Sequence, residues 1–372
     1  MGWEVQQPTG RWKGVYRDAN GRERSKTFDL KRDAVSWWKE QEGRIARGEW
    51  IDPAGPKTPW EDIVDRWLKN KVSAESTLER LESITKNHIR PAFQRRAIGA
   101  VIRSDVQGWV KGLSLKLAPS SVEVAYRYMS NVFSTAVKDG VIPKTPCVDI
   151  VLPEVTKPRV KPLLTEQVEA LIAAHPPRYR AMLMLGAGAG LRQGEAFGVT
   201  VPAVSFGDKV LHVEQQLQQL IGRPLFLKEP KRGSVRDVPL PDELLDVLSW
   251  HMLEFPPKTL LTGVRGEDEP LLFTTDGGVP IRRTKFAEVW GSARRAAKLP
   301  VTVTFHDLRH YYASLLIAKG HDVKAVQARL GHKTAQETLE TYGHLWPDTE
   351  DRTRAAVAAE LGRAASLCSG LV

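Results

Sequence analysis

The sequence predicts a multidomain chain, mainly α-helical with small β-sheets. Three observations carry this. A length of 372 residues exceeds what one core serves and suits two or three domains. Period-two alternation marks short runs near the N-terminus, the pattern from Thr58 to Leu152 is helical throughout, and a further hairpin is expected around Lys231 ahead of Asp237-Val238-Pro239-Leu240. A basic stretch with two prolines, Glu154–Pro162, breaks the pattern and reads as a semi-extended tether. The divisions that follow are residues 1–55, 58–152, a linker at 153–162, 163–348 and a tail at 349–372.

Taken in order, residues 8–28 form a small β-unit. Arg11–Arg17 alternates as a strand, Asp18-Ala19-Asn20-Gly21 supplies a hairpin turn in which Asn-Gly can take positive φ, and Arg22–Phe28 is the return strand. A helix follows over Lys31–Arg47, with Trp37 and Trp38 on the face that must cover the sheet. Gly48 and Asp52-Pro53-Ala54-Gly55-Pro56 end the unit. Arg11, Lys13, Arg17, Arg22, Arg24 and Lys26 on the hairpin could enter a DNA groove, or could be a solvated charge set at a sheet edge. Residues 58–152 are helical throughout: one helix opens at Pro59-Trp60, another at Ser76 with Ser76-x-x-Glu79 as a capping box, and others run near Ser104–Leu113 and Ser120–Asp139. Lys86, Arg95, Arg96, Lys116 and Arg127 are candidate phosphate contacts here, although such side chains are more often simply solvated. Thr165 is the expected N-cap of the first helix past the linker. The tail is expected to be an alanine-rich helix over Arg354–Leu361.

A net charge of +10 and a pI near 9.5 favour a polyanionic partner. Two cysteines, Cys147 and Cys368, far apart in sequence, make a disulfide framework improbable and fit a reducing cytosol. No basic head with an apolar run opens the sequence, and no window approaches a membrane span.

The most informative stretch runs from Phe305 to Pro347. It holds His306-Asp307-Leu308-Arg309-His310, then Leu330-Gly331-His332, then Thr341-Tyr342-Gly343-His344. Helix packing gives no reason to gather anion-gripping groups beside an oxygen nucleophile, whereas phosphoryl transfer does. Arginine forks onto phosphate oxygens, histidine moves protons near neutrality, and an activated tyrosine can carry a covalent intermediate. Upstream stand Gly190-Leu191-Arg192-Gln193-Gly194-Glu195 and Pro230-Lys231 ahead of Val238-Pro239-Leu240. The ordered set Arg192, Lys231, His306, Arg309, His332 and Tyr342, in these contexts, resembles the tyrosine recombinase, or phage integrase, family.

The resemblance covers Thr58 to Pro347 firmly and residues 8–55 loosely. It implies an N-terminal unit for arm-type DNA sites, a helical core-binding bundle that clamps DNA, and a mixed α/β catalytic domain. Lys144-Thr145-Pro146 departs from the Asn-Pro of many relatives, harmlessly for a turn. By the same resemblance, Arg192, Arg309 and His332 hold the nonbridging oxygens, His306 faces the same phosphate from one turn before Arg309, and Lys231 protonates the leaving 5′ oxygen. Lys228 competes locally with Lys231 for that part. Tyr342 attacks to give a 3′-phosphotyrosine, so no cofactor and no metal is expected. Glu195 can pair with Arg192, and His310 is expected in a supporting place behind the reacting groups. Tyr311 and Tyr312 are expected to pack, though Tyr312 could reach the site. Expected partners are double-stranded DNA at core and arm sites, three further copies in a tetramer, a DNA-bending protein and a directionality factor, in the cytoplasm of a bacterial host. The tail could dock in cis or on a neighbouring protomer. Alternatives are a resolvase-type recombinase, a regulator that kept the fold without catalysis, and a type IB topoisomerase. A zinc hydrolase built on His306 and His310 lacks the glutamate after the first histidine and an obvious third ligand.

Overall fold

The computed structural model describes residues 2–156, 159–346, 354–355 and 357–361. It divides into two compact units, Met1–Thr156 and Lys157–Val372. Cys368 and most of the tail lie outside the described residues; Arg354–Ala355 and Val357–Leu361 are helical.

The first unit opens with three antiparallel strands, β1 (Trp3–Gln6), β2 (Trp12–Arg17) and β3 (Glu23–Phe28), in that order across the sheet. β2 pairs Trp12 with Phe28 and Arg17 with Glu23. The sequence reading missed β1: Trp3-Glu4-Val5-Gln6 alternates, but four residues is the shortest run over which alternation signals a strand. The turn also differs from expectation. Asp18 Oδ1 accepts the backbone N–H groups of Asn20 and Arg22, both at 2.9 Å, so a side-chain cap shapes a longer loop. Only Gly21 there takes positive φ. Helix α1 (Lys31–Ala46) lies across the sheet, with Trp37 edge-on to Tyr16 at 5.2 Å and against Phe28 at 5.7 Å. Trp37 and Trp38 are both half-buried, as their place on the covering face requires.

The rest of the unit is a bundle: α2 (Trp60–Lys69), α3 (Glu75–Ile84), a π-helical turn at Thr85–Ile89, α4 (Arg90–Phe93), α5 (Arg103–Ser114) and α6 (Pro119–Lys138). In α6 the buried side chains are Val122, Ala125, Met129, Val132, Phe133 and Ala136, the i, i+3, i+4 stripe of a helix with one apolar face. Met129, Val132, Phe133 and Ala136 close on Trp60, Val64 and Phe93, and Val122 and Ala125 on Val110 and Leu113 of α5. Ser76 is not a cap: α3 starts at Glu75 behind Ala74, and no side chain caps it. The backbone enters the helix two residues earlier than a cap at Ser76 would set it, which carries the Ser76 hydroxyl into the first turn.

In the second unit, α7 (Thr165–Ala174), α8 (Pro177–Ala189) and α9 (Gln193–Phe197) precede the β-structure. β4 (Val204–Ser205), β5 (Val210–Val213) and β8 (Arg236–Pro239) make one antiparallel sheet in that order. Between β5 and β8 the chain makes a separate hairpin, β6 (Gln216–Gln218) and β7 (Phe226–Lys228). There follow α10 (Asp242–Glu254), the pair β9 (Leu260–Thr262) and β10 (Asp268–Pro270), α11 (Arg283–Ala296), α12 (Phe305–Ala318), α13 (Val323–Leu330) and α14 (Ala335–Tyr342). Thr165 is the first residue of α7 rather than its cap; its hydroxyl instead meets that of Tyr311 at 3.1 Å.

Helix α8 is the centre of this core, buried at Ala181, Met182, Leu183, Leu185, Ala187 and Ala189. α12 packs against it where Gly186 leaves room: a Cβ there would stand 2.9 Å from Phe305 and 3.0 Å from Leu308. Gly190 ends α8 at φ +64°, and a Cβ on it would come within 2.5 Å of the Tyr312 ring. An L-residue pays about 1–2 kcal/mol for the left-handed conformation alone, and the ring, held under the core, cannot withdraw freely. Gly190→Ala is therefore expected to lose at least about 2 kcal/mol, read as a lower midpoint in urea unfolding.

Candidate active site

The helix end at Gly190 turns Arg192 out of the core. Its backbone N–H donates to Glu195 Oε2 at 2.9 Å, and its Nη1 to Glu195 Oε1 at 2.7 Å and Ser234 Oγ at 3.1 Å. Glu195 is 2% exposed and also receives Arg236 Nη2 at 2.8 Å. Burial pushes the Glu195 carboxyl up, but the charge and hydrogen bonds of Arg236, with Arg192 behind it, prevail and hold it at about 2. One carboxylate thus orients two guanidiniums.

Arg309 comes from α12, one helical turn after His306, and is 1% exposed. Nη1 donates to the Gly190 carbonyl at 2.7 Å and Nη2 to the Leu330 carbonyl at 2.5 Å. Each Nη carries two N–H groups, so each retains one for another acceptor. Burial and the neighbouring positive charges of Arg192 and Arg236 push the guanidinium down from its ordinary value, although an arginine stays charged through the neutral range. The same two carbonyls tie the end of α8 to the end of α13, because Gly331 closes α13 in the left-handed conformation at φ +63°.

That closure sets His332 in the turn before α14. His332 Nδ1 lies 2.9 Å from Thr338 Oγ1, and the ring is parallel to that of Tyr342 within 9°, centroids 6.3 Å apart. Burial and the charges of Arg309, Arg192 and Arg236 push His332 down to about 3. It is neutral at pH 7, as a hydrogen-bond donor to an anion through its second nitrogen can be. His306 stands at the solvent edge of α12, and its ring is 4.7 Å, centroid to centroid, from that of His310. Desolvation by the surrounding groups, then the proximity of His310, Arg309 and Arg192, pushes it down as well.

Tyr342 closes α14 and is 1% exposed. Its hydroxyl is 2.8 Å from His310 Nδ1. Burial pushes the phenol up to about 12 against the pull of Arg309 and Arg192. Lys231 lies on a single 3-10 turn, Lys231–Gly233, between β7 and β8, while Lys228 ends β7 itself. Arg192, Lys231, Arg236 and His332 share a cleft of about 850 Å³ with Lys324 and Lys333 of the α13–α14 segment. The structure therefore draws Arg192, His332 and Lys231 to one cleft, and Arg309, His306, His310 and Tyr342 to the packed α12–α14 layer beside it.

The sequence reading passed over three contacts. Arg236 is buried beside Glu195; its place in Val235-Arg236-Asp237-Val238, where alternate residues of β8 face inward, was the available signal. Ser234 and Thr338 hold Arg192 and His332, and nothing local marks either. Tyr312 is buried against Gly190, and Tyr311 is half-buried with its hydroxyl on Thr165. Among the described residues, no three His, Cys, Asp or Glu side chains gather as a metal cluster.

The basic residues of the first unit fare unequally. Arg24 bridges Asp18 at 2.9 Å and Asp52 at 2.8 Å, and Arg96 bonds Asp105 at 2.6 Å and the Ala100 carbonyl at 2.7 Å. Both knit their own unit together, which a reading of charge alone does not separate from a DNA contact. Arg11 pairs with Asp29, Arg17 with Glu23 and Arg127 with Glu123, all at the surface. Arg22, Lys26, Lys86, Arg95 and Lys116 are exposed and Lys13 is half-buried. No helix among the described residues is long and apolar enough to cross a membrane.

A mainly helical chain that gathers two arginines, a lysine, histidines and a tyrosine at the end of α14 defines a class, the tyrosine recombinases. Comparison with known proteins agrees. The phage integrase family model matches residues 161–348, half of the chain, and the chain belongs to that family. It is 25% identical over 361 residues to a XerC-like tyrosine recombinase of Caldanaerobacter subterraneus, covering 90% of this chain and 91% of that one. A solved structure of the Tn1549 transposon integrase with transposon right end DNA shares the fold, at a TM-score of 0.66 and 24% identity, over 83% of this chain and all of that one. So does a lambda integrase tetramer bound to a Holliday junction, at 0.62 and 17%, over 90% of this chain and 96% of that one. The protein is a tyrosine site-specific recombinase.

Proposed function

We propose that this recombinase cuts and rejoins DNA through a 3′-phosphotyrosine on Tyr342, and integrates or excises a phage or other mobile element. The observation that carries this reading is the hydroxyl of Tyr342 beside His310, in the same packed layer as Arg309 and the stacked ring of His332. A phosphodiester resists attack because its anionic oxygens repel the nucleophile and its alkoxide leaves poorly. Fixed positive charge answers the first difficulty. Arg192 and Arg309 would neutralise the nonbridging oxygens, His332 would donate to one of them, and His306 would face the same group. Lys231 would protonate the departing 5′ oxygen, with the resulting 5′ hydroxyl returning to reseal the strand. The phosphotyrosine retains the energy of the broken bond, so no nucleotide cofactor is required.

Arg309 and Tyr342 are both covered in the DNA-free chain. Entry of the scissile phosphate therefore has to displace part of this layer, and α14, only eight residues long, is the element suited to yield. The lambda integrase structure, a tetramer on a Holliday junction, supports assembly of four copies on two DNA sites. The exposed hairpin residues Arg22 and Lys26 and the bundle residues Lys86, Arg95 and Lys116 are the proposed backbone contacts, for arm and core sites respectively. Such a protein would act on DNA in the bacterial cytoplasm, with a DNA-bending protein and a directionality factor as further partners.

The test is covalent trapping. A nicked duplex carrying the attachment core is incubated with the protein in EDTA, and the products are denatured. A protein–DNA adduct is expected, with its phosphate on Tyr342 in the isolated peptide. Duplex binding without any adduct would reject the chemistry.

A further inference from the structure

The reaction described so far leaves one proton without a destination. Tyr342 Oη must lose its hydrogen as it bonds to phosphorus, and burial holds that phenol well above neutrality. Ionisation ahead of attack is thus disfavoured, and the proton has to leave as the O–P bond forms. The group placed to receive it is a neighbouring histidine. His310 follows Arg309 on α12, and its Nδ1 is the hydrogen-bond partner of Tyr342 Oη at 2.8 Å, with ring centroids 5.5 Å apart at 67°.

The other histidines are less well placed. His332 has its Nδ1 engaged by Thr338 at 2.9 Å, and His306 packs edge-on against His310 rather than on the phenol. Around His310 stand Asp307, Arg309 and His306 of its own helix, with Tyr342 across from it and Arg192 acting on Tyr342. Asp307 is fixed in the first turn of α12, accepting the N–H of the cap residue Thr304 at 2.8 Å. His344, on the turn after α14, uses its Nε2 on the Val160 carbonyl at 2.8 Å. Burial, helped by the Arg309 charge, outweighs the nearby Asp307 carboxylate and disfavours a charged His310, so its ring is neutral at pH 7 and has a lone pair to offer.

We propose that His310 is a catalytic residue on the nucleophile side: its Nδ1 accepts the Tyr342 phenol proton as Oη attacks the phosphate. This rests on the 3′-phosphotyrosine reading above. The Oη–H bond breaks, its electron pair forms the O–P bond, and the proton moves to Nδ1 while Nε2 keeps its own. The P–O5′ pair leaves on the 5′ oxygen, which takes a proton from the leaving-group side. Resealing runs the same transfers backwards, and His310 returns the proton to Oη.

The experiment compares wild type, His310→Ala, His310→Asn and Lys231→Ala on two nicked duplexes carrying the attachment core. One is natural, and the other has sulfur in place of the bridging 5′ oxygen at the cut. Asparagine sets an amide where Nδ1 stands: it can orient the hydroxyl but cannot take its proton. The thiolate leaves without protonation, so the second duplex removes the need for a general acid. Both His310 variants are expected to bind the duplex as wild type does and to form adduct about 10²–10³-fold more slowly, on the natural and the sulfur duplex alike. Lys231→Ala should recover on the sulfur duplex. An asparagine variant near the wild-type rate would overturn the proposal in favour of mere orientation. Recovery of the His310 variants on sulfur would overturn it by moving His310 to the leaving-group side. If the alanine variant fails to bind DNA, the asparagine variant alone decides. A wild type that forms no adduct on either duplex would reject the recombinase chemistry itself, an outcome distinct from a working enzyme indifferent to His310.

Discussion

Tyr342→Phe is expected to abolish the covalent adduct, lowering strand cleavage by at least about 10⁴-fold while leaving duplex binding intact. The change removes one oxygen and keeps the ring, so the stack on His332 and the burial under α12 persist. What disappears besides the nucleophile is the hydrogen bond to His310, worth about 0.5–1.5 kcal/mol, which is too little to unfold the domain. A cleavage assay paired with a mobility shift therefore separates chemistry from folding. Adduct formation by the phenylalanine protein would mean that another tyrosine attacks. Tyr312 would be examined next, although its place against Gly190 in the core makes it a packing residue in this structure.

The second large effect concerns stability. Glu195 is the carboxylate between Arg192 and the buried Arg236, whose side chain is 4% exposed. Glu195→Ala would leave the Arg236 guanidinium without its counter-charge, at a cost of about 3–5 kcal/mol. In a domain of this size that corresponds to a fall in melting temperature of about 6–20 °C, measurable by calorimetry. A shift of only a degree or two would show that Arg236 finds compensation elsewhere, for example through the Arg329 carbonyl it already bonds at 2.9 Å.

The same pair predicts a pH dependence with a definite sign. The Glu195 pKa falls from 4.5 to about 2 on folding, so its folded form releases its proton more readily than the unfolded one. Its contribution is complete above about 4.5 and is lost as pH falls from there toward 2. The full shift is worth roughly 3 kcal/mol. His175 and His251, both pushed down by burial, add an earlier loss that begins as pH drops below their ordinary value of 6.5. The mutant and wild-type stability curves should thus run parallel above pH 4.5 and converge below it. Curves that stay parallel down to about pH 3 would show that Glu195 is not the titrating group.

Several local features around the candidate site are legible in the sequence, for chemical reasons. Arg192, His306, Arg309, His332 and Tyr342 each sit in a short motif whose neighbours are dictated by local backbone: a left-handed glycine before Arg192, another before His332, one helical turn between His306 and Arg309. Such features repeat in sequence because they are local. The α1 helix over the N-terminal sheet and the apolar stripe of α6 were legible in the same way, from a period that one segment carries by itself. By contrast Ser76 and Thr165 resemble caps in sequence and are not, since one residue of helix more or less depends on what the preceding chain packs against.

Residue order and local pattern are enough to carry the family resemblance, the helical character of most of the chain and its net basic charge. The folded chain is needed to see which charges enter internal ion pairs and which stay exposed. Arg24 and Arg96 look no different in sequence from Arg22 and Arg95, yet the first two close ion pairs within their own unit. Arg236 meets Glu195 from 41 residues away, and His310 meets Tyr342 from 32. A helix or strand period sets which face a side chain takes, but not which distant face it will meet. That meeting is set by how buried surfaces stack, and the pairings of Arg236 with Glu195 and of His310 with Tyr342 depend on it.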